Sequence, residues 1–207
     1  MIAIVDYKAG NLTSVQLACR ALGCEAVVTS DPQKILSSER VIFPGVGAAG
    51  SAMKHLTDMK LVQVLHNVAS RGTPFMGICL GTQILLEFSE EDGGTPTLGL
   101  LPGRVPRFQP QDRRDKVPQI GWNQVRKVRN HPLLEGIDND SEFYFVHSYY
   151  PAPATSELTI GTTDYAGITF TSMLGRANVV ATQFHPEKSG RIGLKLLNNF
   201  LIWNPSL

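Results

Sequence analysis

Two hydrophobic periods alternate through the first ninety residues, and this alternation constrains the fold more than any other feature of the chain. Ile2–Val5 is a short apolar run ending at Asp6, the profile of a strand buried on both faces. Leu12, Val15, Gln16, Leu17 and Leu22 follow near helical spacing, and Gly23 closes that segment. Residues 26–28 read as a second strand and 41–43 as a third that stops at Pro44. Residues 48–71 read as one helix, with Met53, Leu56, Leu61, Val64, Leu65 and Val68 as its apolar stripe. A strand over 74–79 and a helix over 80–88 complete the series. Strand and helix in regular order call for right-handed crossovers and a parallel sheet covered on both faces.

The middle of the chain breaks this rhythm. Residues 89–118 hold Gly93-Gly94, Pro96, Pro102, Pro106, Pro110 and Pro118, with few apolar runs. Short candidate strands follow at 125–128, 143–146, 158–163, 168–171 and 179–184, and their spacing suggests antiparallel hairpins added to the parallel core. The closing segment, 191–203, puts Ile192, Leu196, Phe200 and Trp203 on one helical face. With no repeat and no linker, the expectation is one α/β domain over residues 1–207: a mostly parallel central sheet, flanking helices and added antiparallel strands.

Composition narrows the function classes. Nineteen Lys and Arg against eighteen Asp and Glu leave a net charge of +1, which argues against a polyanion binder, so no nucleic-acid partner is expected. No run approaches the ~20 apolar residues of a membrane span, and no leader is recognisable, so no membrane association is expected. Three cysteines cannot form a disulfide framework and point to a reducing compartment, hence a cytoplasmic protein.

One of those cysteines stands in a chemical setting. Gly77-Ile78-Cys79-Leu80-Gly81 ends an apolar strand and opens a helix, where a nucleophile between two glycines makes a tight elbow. The glycines let the chain turn sharply, so the thiol stands above the sheet, and the start of a helix favours thiolate. An ordinary thiol, with a pKa near ~8.5, is only a few per cent thiolate at neutral pH. The backbone N–H of Leu80 is placed to meet an oxyanion. Cys19, inside a helical stretch, and Cys24, after a helix-ending glycine, read as structural.

A thiol nucleophile needs a base, and His185 of His185-Pro186-Glu187 is the best placed of five histidines. It follows a strand, and residues i and i+2 on an extended segment point the same way. Glu187 then reaches one imidazole nitrogen while the other faces the thiol. A solvated surface turn is the competing reading for this tripeptide taken alone. His147 is the one rival base; His55 and His66 fall on a helix, and His131 precedes Pro132 in a turn. No histidines stand at ligand spacing beside a carboxylate or thiol, so no metal and no cofactor are expected.

Gly77-Ile78-Cys79-Leu80-Gly81 with Gln83, followed by His185-Pro186-Glu187, resembles the class I, triad-type glutamine amidotransferases. Asp6-Tyr7, Gly10-Asn11-Leu12, Pro44-Gly45-Val46-Gly47, Gly121-Trp122-Asn123, His147-Ser148-Tyr149 and His185-Pro186-Glu187-Lys188-Ser189 are similar to one subgroup, the glutaminase subunits of imidazole glycerol phosphate synthase. The resemblance runs from residue 2 to the final helix. Thr82 departs from it, standing where most relatives carry Met or His.

The resemblance implies hydrolysis of L-glutamine through a glutamyl thioester, with Cys79 attacking, His185 moving the proton and Glu187 orienting His185. It implies an oxyanion hole from the N–H of Val46 or Gly47 together with that of Leu80. It gives Gln83, Ser148 and Tyr149 to the amino-acid end of the substrate. It also implies a heterodimer with a (β/α)8-barrel cyclase, for which Asn11, Trp122, Asn123 and Lys188 are the interface candidates. For Trp122 a place in the core is the competing reading. Two alternatives stay open: an amidotransferase serving a different synthase, such as a sugar-modifying one, and a stand-alone cysteine hydrolase.

Overall fold

The alternation resolves into β1 (Ile2–Val5), α1 (Leu12–Ala21), β2 (Ala26–Thr29), α2 (Pro32–Leu36), β3 (Arg40–Gly45), α3 (Ala49–Asp58), α4 (Val62–Ser70), β4 (Phe75–Cys79) and α5 (Leu80–Ile84). The structure is a computed structural model and describes residues 1–112 and 114–205. Strands β1, β2, β3 and β4 pair in parallel, and a later strand, Val179–Thr182, joins β4 in parallel as well. Along β1 the side chains alternate between two cores. Ile2 and Ile4 pack among residues of α1 and the C-terminal helix, while Ala3 and Val5 pack among residues of α3, α4 and α5.

Beyond α5 come short strands β5 (Phe88–Ser89), β6 (Thr95–Pro96) and β7 (Gly103–Val105), then β8 (Gln119–Lys127), β9 (Ser141–His147), β10 (Ala152–Pro153), β11 (Thr159–Tyr165), β12 (Ile168–Arg176), β13 (Val179–Thr182) and α6 (Gly190–Ile202). The large sheet runs β2-β1-β3-β4-β13-β12-β11-β8-β9, and every pairing from β13 outward to β9 is antiparallel. The expected parallel core with antiparallel additions is therefore the observed architecture. A small second sheet, β10-β7-β5-β6, carries part of the proline-rich stretch.

Four differences from the sequence reading have physical causes. The stripe over 48–71 skips from Leu56 to Leu61, five residues, which is out of phase with a 3.6-residue turn. The chain resets the phase at Lys60, whose φ is 58°, and so makes two helices instead of one. Helix α5 ends at Ile84, not at residue 88, because Phe88 and Ser89 are drawn into the small sheet. Helix α2 is too short to show a period, although Asp31 caps it by accepting from the Gln33 N–H at 2.9 Å and Pro32 opens it. Strand β8 begins at Gln119, six residues ahead of the expected start, because its pattern is inverted: Ile120 and Trp122 face out while Gln119 faces in.

Candidate active site

Cys79 occupies the junction of β4 and α5 with φ 55° and ψ −110°, a conformation that costs a non-glycine residue about 1–3 kcal/mol. The two glycines make that junction possible by their lack of side chains. A Cβ on Gly81 would lie 1.9 Å from the Phe43 carbonyl oxygen, and one on Gly77 would lie 2.7 Å from Leu85 Cδ1. Thr82, the departure from the expected pattern, donates its hydroxyl to the Thr182 carbonyl at 2.6 Å. It thereby ties α5, the helix after Cys79, to β13, the strand that leads to His185.

His185 follows β13 and is 1% exposed. Its Nδ1 stands 2.7 Å from Glu187 Oε1, and the Glu187 side chain is fully buried. The two meet as expected, but not on an extended segment. Pro186 opens a short 3-10 turn, and the carboxylate folds back across it to the ring. The turn is held from both sides: Ser189 donates to the His185 carbonyl at 2.6 Å and accepts from the Tyr144 N–H, and His185 N–H donates to the Tyr144 carbonyl. Gly193 of α6 lets that helix press on the turn, since a Cβ there would come 1.9 Å from the Pro186 carbonyl oxygen.

Burial pulls the His185 pKa down, but the Cys79 side chain and then the Glu187 carboxylate outweigh it and raise it to about 10. The imidazole thus favours its protonated form beside the thiol. His185 Nε2 has no hydrogen-bond partner of good geometry among the described residues, a common state for a candidate base in a structure without substrate. His147, the rival, is excluded by its bonds. Its ring nitrogens are taken up by the Tyr149 carbonyl at 2.7 Å and the Gln119 side chain at 3.0 Å, and burial lowers it to about 4.

A cavity of about 250 Å³ opens over Cys79, lined by Val46, Gly47, Leu80, Gln83, Glu91, Val146, Ser148 and Tyr149 among others. It lies just below the usual range for drug-sized ligands, a fit for a single amino acid. Val46 and Gly47 flank the end of β3, beside the nucleophile, with Gly47 at φ 103°. Leu80 opens α5, where the first N–H groups lack partners within the helix. The three residues expected at the substrate, Gln83, Ser148 and Tyr149, and the three expected at the oxyanion, Val46, Gly47 and Leu80, therefore line one cavity with Cys79.

The expected interface residues divide. Asn11 is half-buried and donates from Nδ2 to Glu187 Oε1 at 2.5 Å, so its amide holds the carboxylate that holds His185. Asn123 spends its side chain on the Asp164 carbonyl and the Gln124 N–H. Trp122, 55% exposed, is no core residue; it packs edge-on against Tyr144 and continues the exposed Ile120 along β8. Lys188 is exposed on the turn after the base.

Three site residues escaped the sequence reading. Glu91 lines the cavity and accepts from the Ala49 N–H at the start of α3. Tyr7 is 1% exposed, its hydroxyl has no partner among the described residues, and its pKa is pushed up by burial and by Cys79. Gln183, fully buried two residues before His185, donates to Cys79 Sγ at 3.8 Å. Tyr7 belongs to the Asp6-Tyr7 motif and Glu91 to none; Gln183 carried a faint signal, an amide between Thr182 and Phe184 just past an apolar run. Among the described residues no group of His, Cys, Asp and Glu could hold a metal ion, and no helix is long and apolar enough to cross a membrane.

Comparison with known proteins agrees with this geometry. The family model "Glutamine amidotransferase class-I" matches residues 3–203. The chain is 53% identical to the imidazole glycerol phosphate synthase subunit HisH of Desulfovibrio desulfuricans, covering 97% of this chain and 93% of that one. It is 49% identical to the corresponding subunit of Nitrosococcus oceani, over 98% and 97%. Among solved structures, a glutamine amidotransferase crystal structure superposes with TM-score 0.75 at 17% identity, covering 97% of both chains. The PurLQS structure from Thermotoga maritima gives 0.74 at 20%, covering 97% of this chain and 96% of that one. A family model matched over residues 3–203 and relatives at about 50% identity over nearly the whole chain place the protein in the class-I glutamine amidotransferase family, within the group of imidazole glycerol phosphate synthase HisH subunits.

Proposed function

We propose that the chain hydrolyses L-glutamine at Cys79 and delivers the ammonia to a (β/α)8-barrel cyclase subunit, the two together forming an imidazole glycerol phosphate synthase of histidine biosynthesis in the cytoplasm. The observation that carries the reading is the buried Cys79–His185–Glu187 set opening onto an amino-acid-sized cavity.

In the reaction the Cys79 thiolate attacks the side-chain carbonyl carbon of glutamine. The oxyanion that forms is met by the N–H of Leu80 and that of Val46 or Gly47; one such donor is typically worth ~10²–10³ in rate. His185 gives its proton to the leaving nitrogen, and ammonia departs as the thioester forms. Water, deprotonated by the now neutral His185, then attacks the thioester and releases glutamate, returning the sulfur as thiolate and the imidazole as imidazolium.

The pocket also favours one orientation of the substrate. Gln83 Nε2 donates to both the Tyr149 carbonyl at 2.9 Å and Gln183 Oε1 at 3.0 Å, so both its hydrogens are committed. What remains for a ligand is the acceptor Oε1, which suits the α-ammonium of an amino acid, and the Glu91 carboxylate in the same lining has the same preference. The strip Ile120, Trp122 and Tyr144 runs toward Val146 at the cavity and supports a docking face at its mouth. Ammonia loose in water is diluted and protonated, which favours direct transfer across such a face.

The test is glutamine hydrolysis by the chain alone and with a cyclase subunit plus its phosphorylated ribonucleotide substrate. Weak turnover alone and strong stimulation by the pair is the expected result. Equal turnover in both would remove the partner from the account.

A further inference from the structure

The amide of Gln183 bridges Gln83 and the Cys79 sulfur, two residues of the cavity lining, and the polarity of the bonds around it is fixed by one backbone carbonyl, that of Tyr149. The Tyr149 carbonyl can only accept a hydrogen bond. Gln83, 2.9 Å away, must therefore turn its NH2 group toward it. The same NH2 faces Gln183 at 3.0 Å, so Gln183 must answer with its oxygen. The other end of Gln183 is then NH2 by necessity, and it is the end that meets Cys79 Sγ at 3.8 Å. Burial reinforces the assignment. Gln183 is 0% exposed and Gln83 5%, so neither amide has water as an alternative partner for these atoms.

We propose that Gln183 is a catalytic residue of the glutaminase reaction, a fixed N–H donor that stabilises the Cys79 thiolate. This rests on the triad reading above. A donor at sulfur bonds the charged thiolate far better than the thiol or the thioester, so it lowers the pH at which the nucleophile becomes available. His185 faces the same sulfur from the turn after β13 and Tyr7 from beyond the end of β1, while Glu187 and His147, the latter held neutral near physiological pH by burial, bear on His185. Gln183 differs from these in carrying no proton of its own to exchange. Its backbone N–H is anchored to the Ser172 carbonyl at 2.8 Å, so the side chain is presented from a fixed point.

The experiment is alkylation of Cys79 by iodoacetamide in the full-length chain, without glutamine, followed across pH by mass spectrometry of the Cys79 peptide. Replacing Gln183 with Met keeps the length and removes the donor. The expected result is a titration moved about one pH unit upward, as for loss of a hydrogen bond to the charged form. A thiolate of higher pKa is also more nucleophilic, with a Brønsted coefficient of ~0.4–0.5, so the two profiles should cross. Gln183→Met should react roughly 3-fold slower than wild type on the acid limb and roughly 3-fold faster on the alkaline plateau. Lost packing alone gives no crossing.

Should Gln183→Met fail to fold, Gln83→Met tests the same chain of bonds. It leaves Gln183 in place but frees its amide to turn, and a smaller upward movement is expected. Superimposable profiles for wild type and either folded variant would overturn the proposal. Because no glutamine is used, that outcome is separate from failure of the glutaminase reading, which would show as wild-type enzyme unable to release ammonia.

Discussion

The two halves of the large sheet are built from different kinds of residue and do different work. In the parallel half, β1, β3, β4 and β13 are buried almost throughout, and the chemistry sits where they end. Cys79 ends β4, the Val46 and Gly47 peptide follows β3, and His185 follows β13. In the antiparallel half, β8 alternates buried and open positions and turns Ile120 and Trp122 outward. The first half is a rigid frame in which side chains are over-determined by packing and hydrogen bonds. The second supplies one wall of the cavity through β9 and the residues after it, and carries the exposed Ile120 and Trp122 of the proposed docking face. Ligands in open α/β sheets bind outside the carboxyl ends of the strands, and the division here follows that rule.

If the frame is as tightly determined as it looks, small changes there should have the largest effects. Gly81→Ala forces a Cβ to within 1.9 Å of a backbone oxygen, so the elbow must shift. Overpacking of this kind typically costs about 1–3 kcal/mol, and here it also misplaces Cys79. Loss of measurable glutaminase activity is expected, with a lowered denaturation midpoint; a variant of wild-type activity would show the elbow to be adaptable.

Asn11→Ala comes next. It removes one charge-assisted hydrogen bond from Glu187 while leaving the triad chemically complete. A fall in kcat of about 10-fold is expected from a bond of this class, with KM little changed. A change confined to affinity for a partner would return Asn11 to the interface role its motif suggests.

The pH dependence of stability separates the halves further. His147, held neutral in the antiparallel half with a pKa near about 4, is lower than an unfolded histidine at 6.5. The unfolded chain binds the proton first, so this contribution is complete above pH 6.5 and is lost as pH falls toward 4. His185 has the opposite sign. Raised to about 10, its contribution is complete below 6.5 and is lost as pH rises through 10. Thermal melts of wild type and His147→Gln from pH 4 to 7 should differ in slope, with the variant flatter. Equal slopes would mean that His147 does not carry the acid sensitivity.

The smallest effect on the chain itself is expected from Trp122→Ala. A side chain 55% exposed and packed mainly on Tyr144 should change stability by no more than about 0.5 kcal/mol, as for ordinary surface positions. Its effect should appear in association with the cyclase subunit, measured by titration of one protein with the other. A large loss of stability without loss of affinity would make the strip a structural feature of the frame.

The same contrast explains what the sequence could disclose. Buried parallel strands announce themselves as apolar runs, so β1, β3 and β4 were readable to within a residue or two, and Gly77, Cys79, Gly81, His185 and Glu187 with them. Strand β8 was not, because its pattern is inverted: apolar residues face out and Gln119 faces in to hold His147. The pairing of Asn11 with Glu187 joins positions 176 residues apart, and no local period reveals such a contact. Gln183 was legible only as a polar residue that follows Thr182 just past the buried strand β13, with nothing local to tie it to Cys79. Thr82 is the converse case: it departs from the family pattern, and the structure gives it a bond of its own to Thr182.

The central claim is that Cys79 alone supplies the nucleophile for glutamine while the rest of the assembly can still use ammonia. The most direct measurement compares wild type and Cys79→Ala, each assembled with the cyclase subunit, supplied first with glutamine and then with ammonium salt at alkaline pH. Cys79→Ala should lose product formation from glutamine and keep it from ammonia. Continued release of ammonia from glutamine by Cys79→Ala would contradict it.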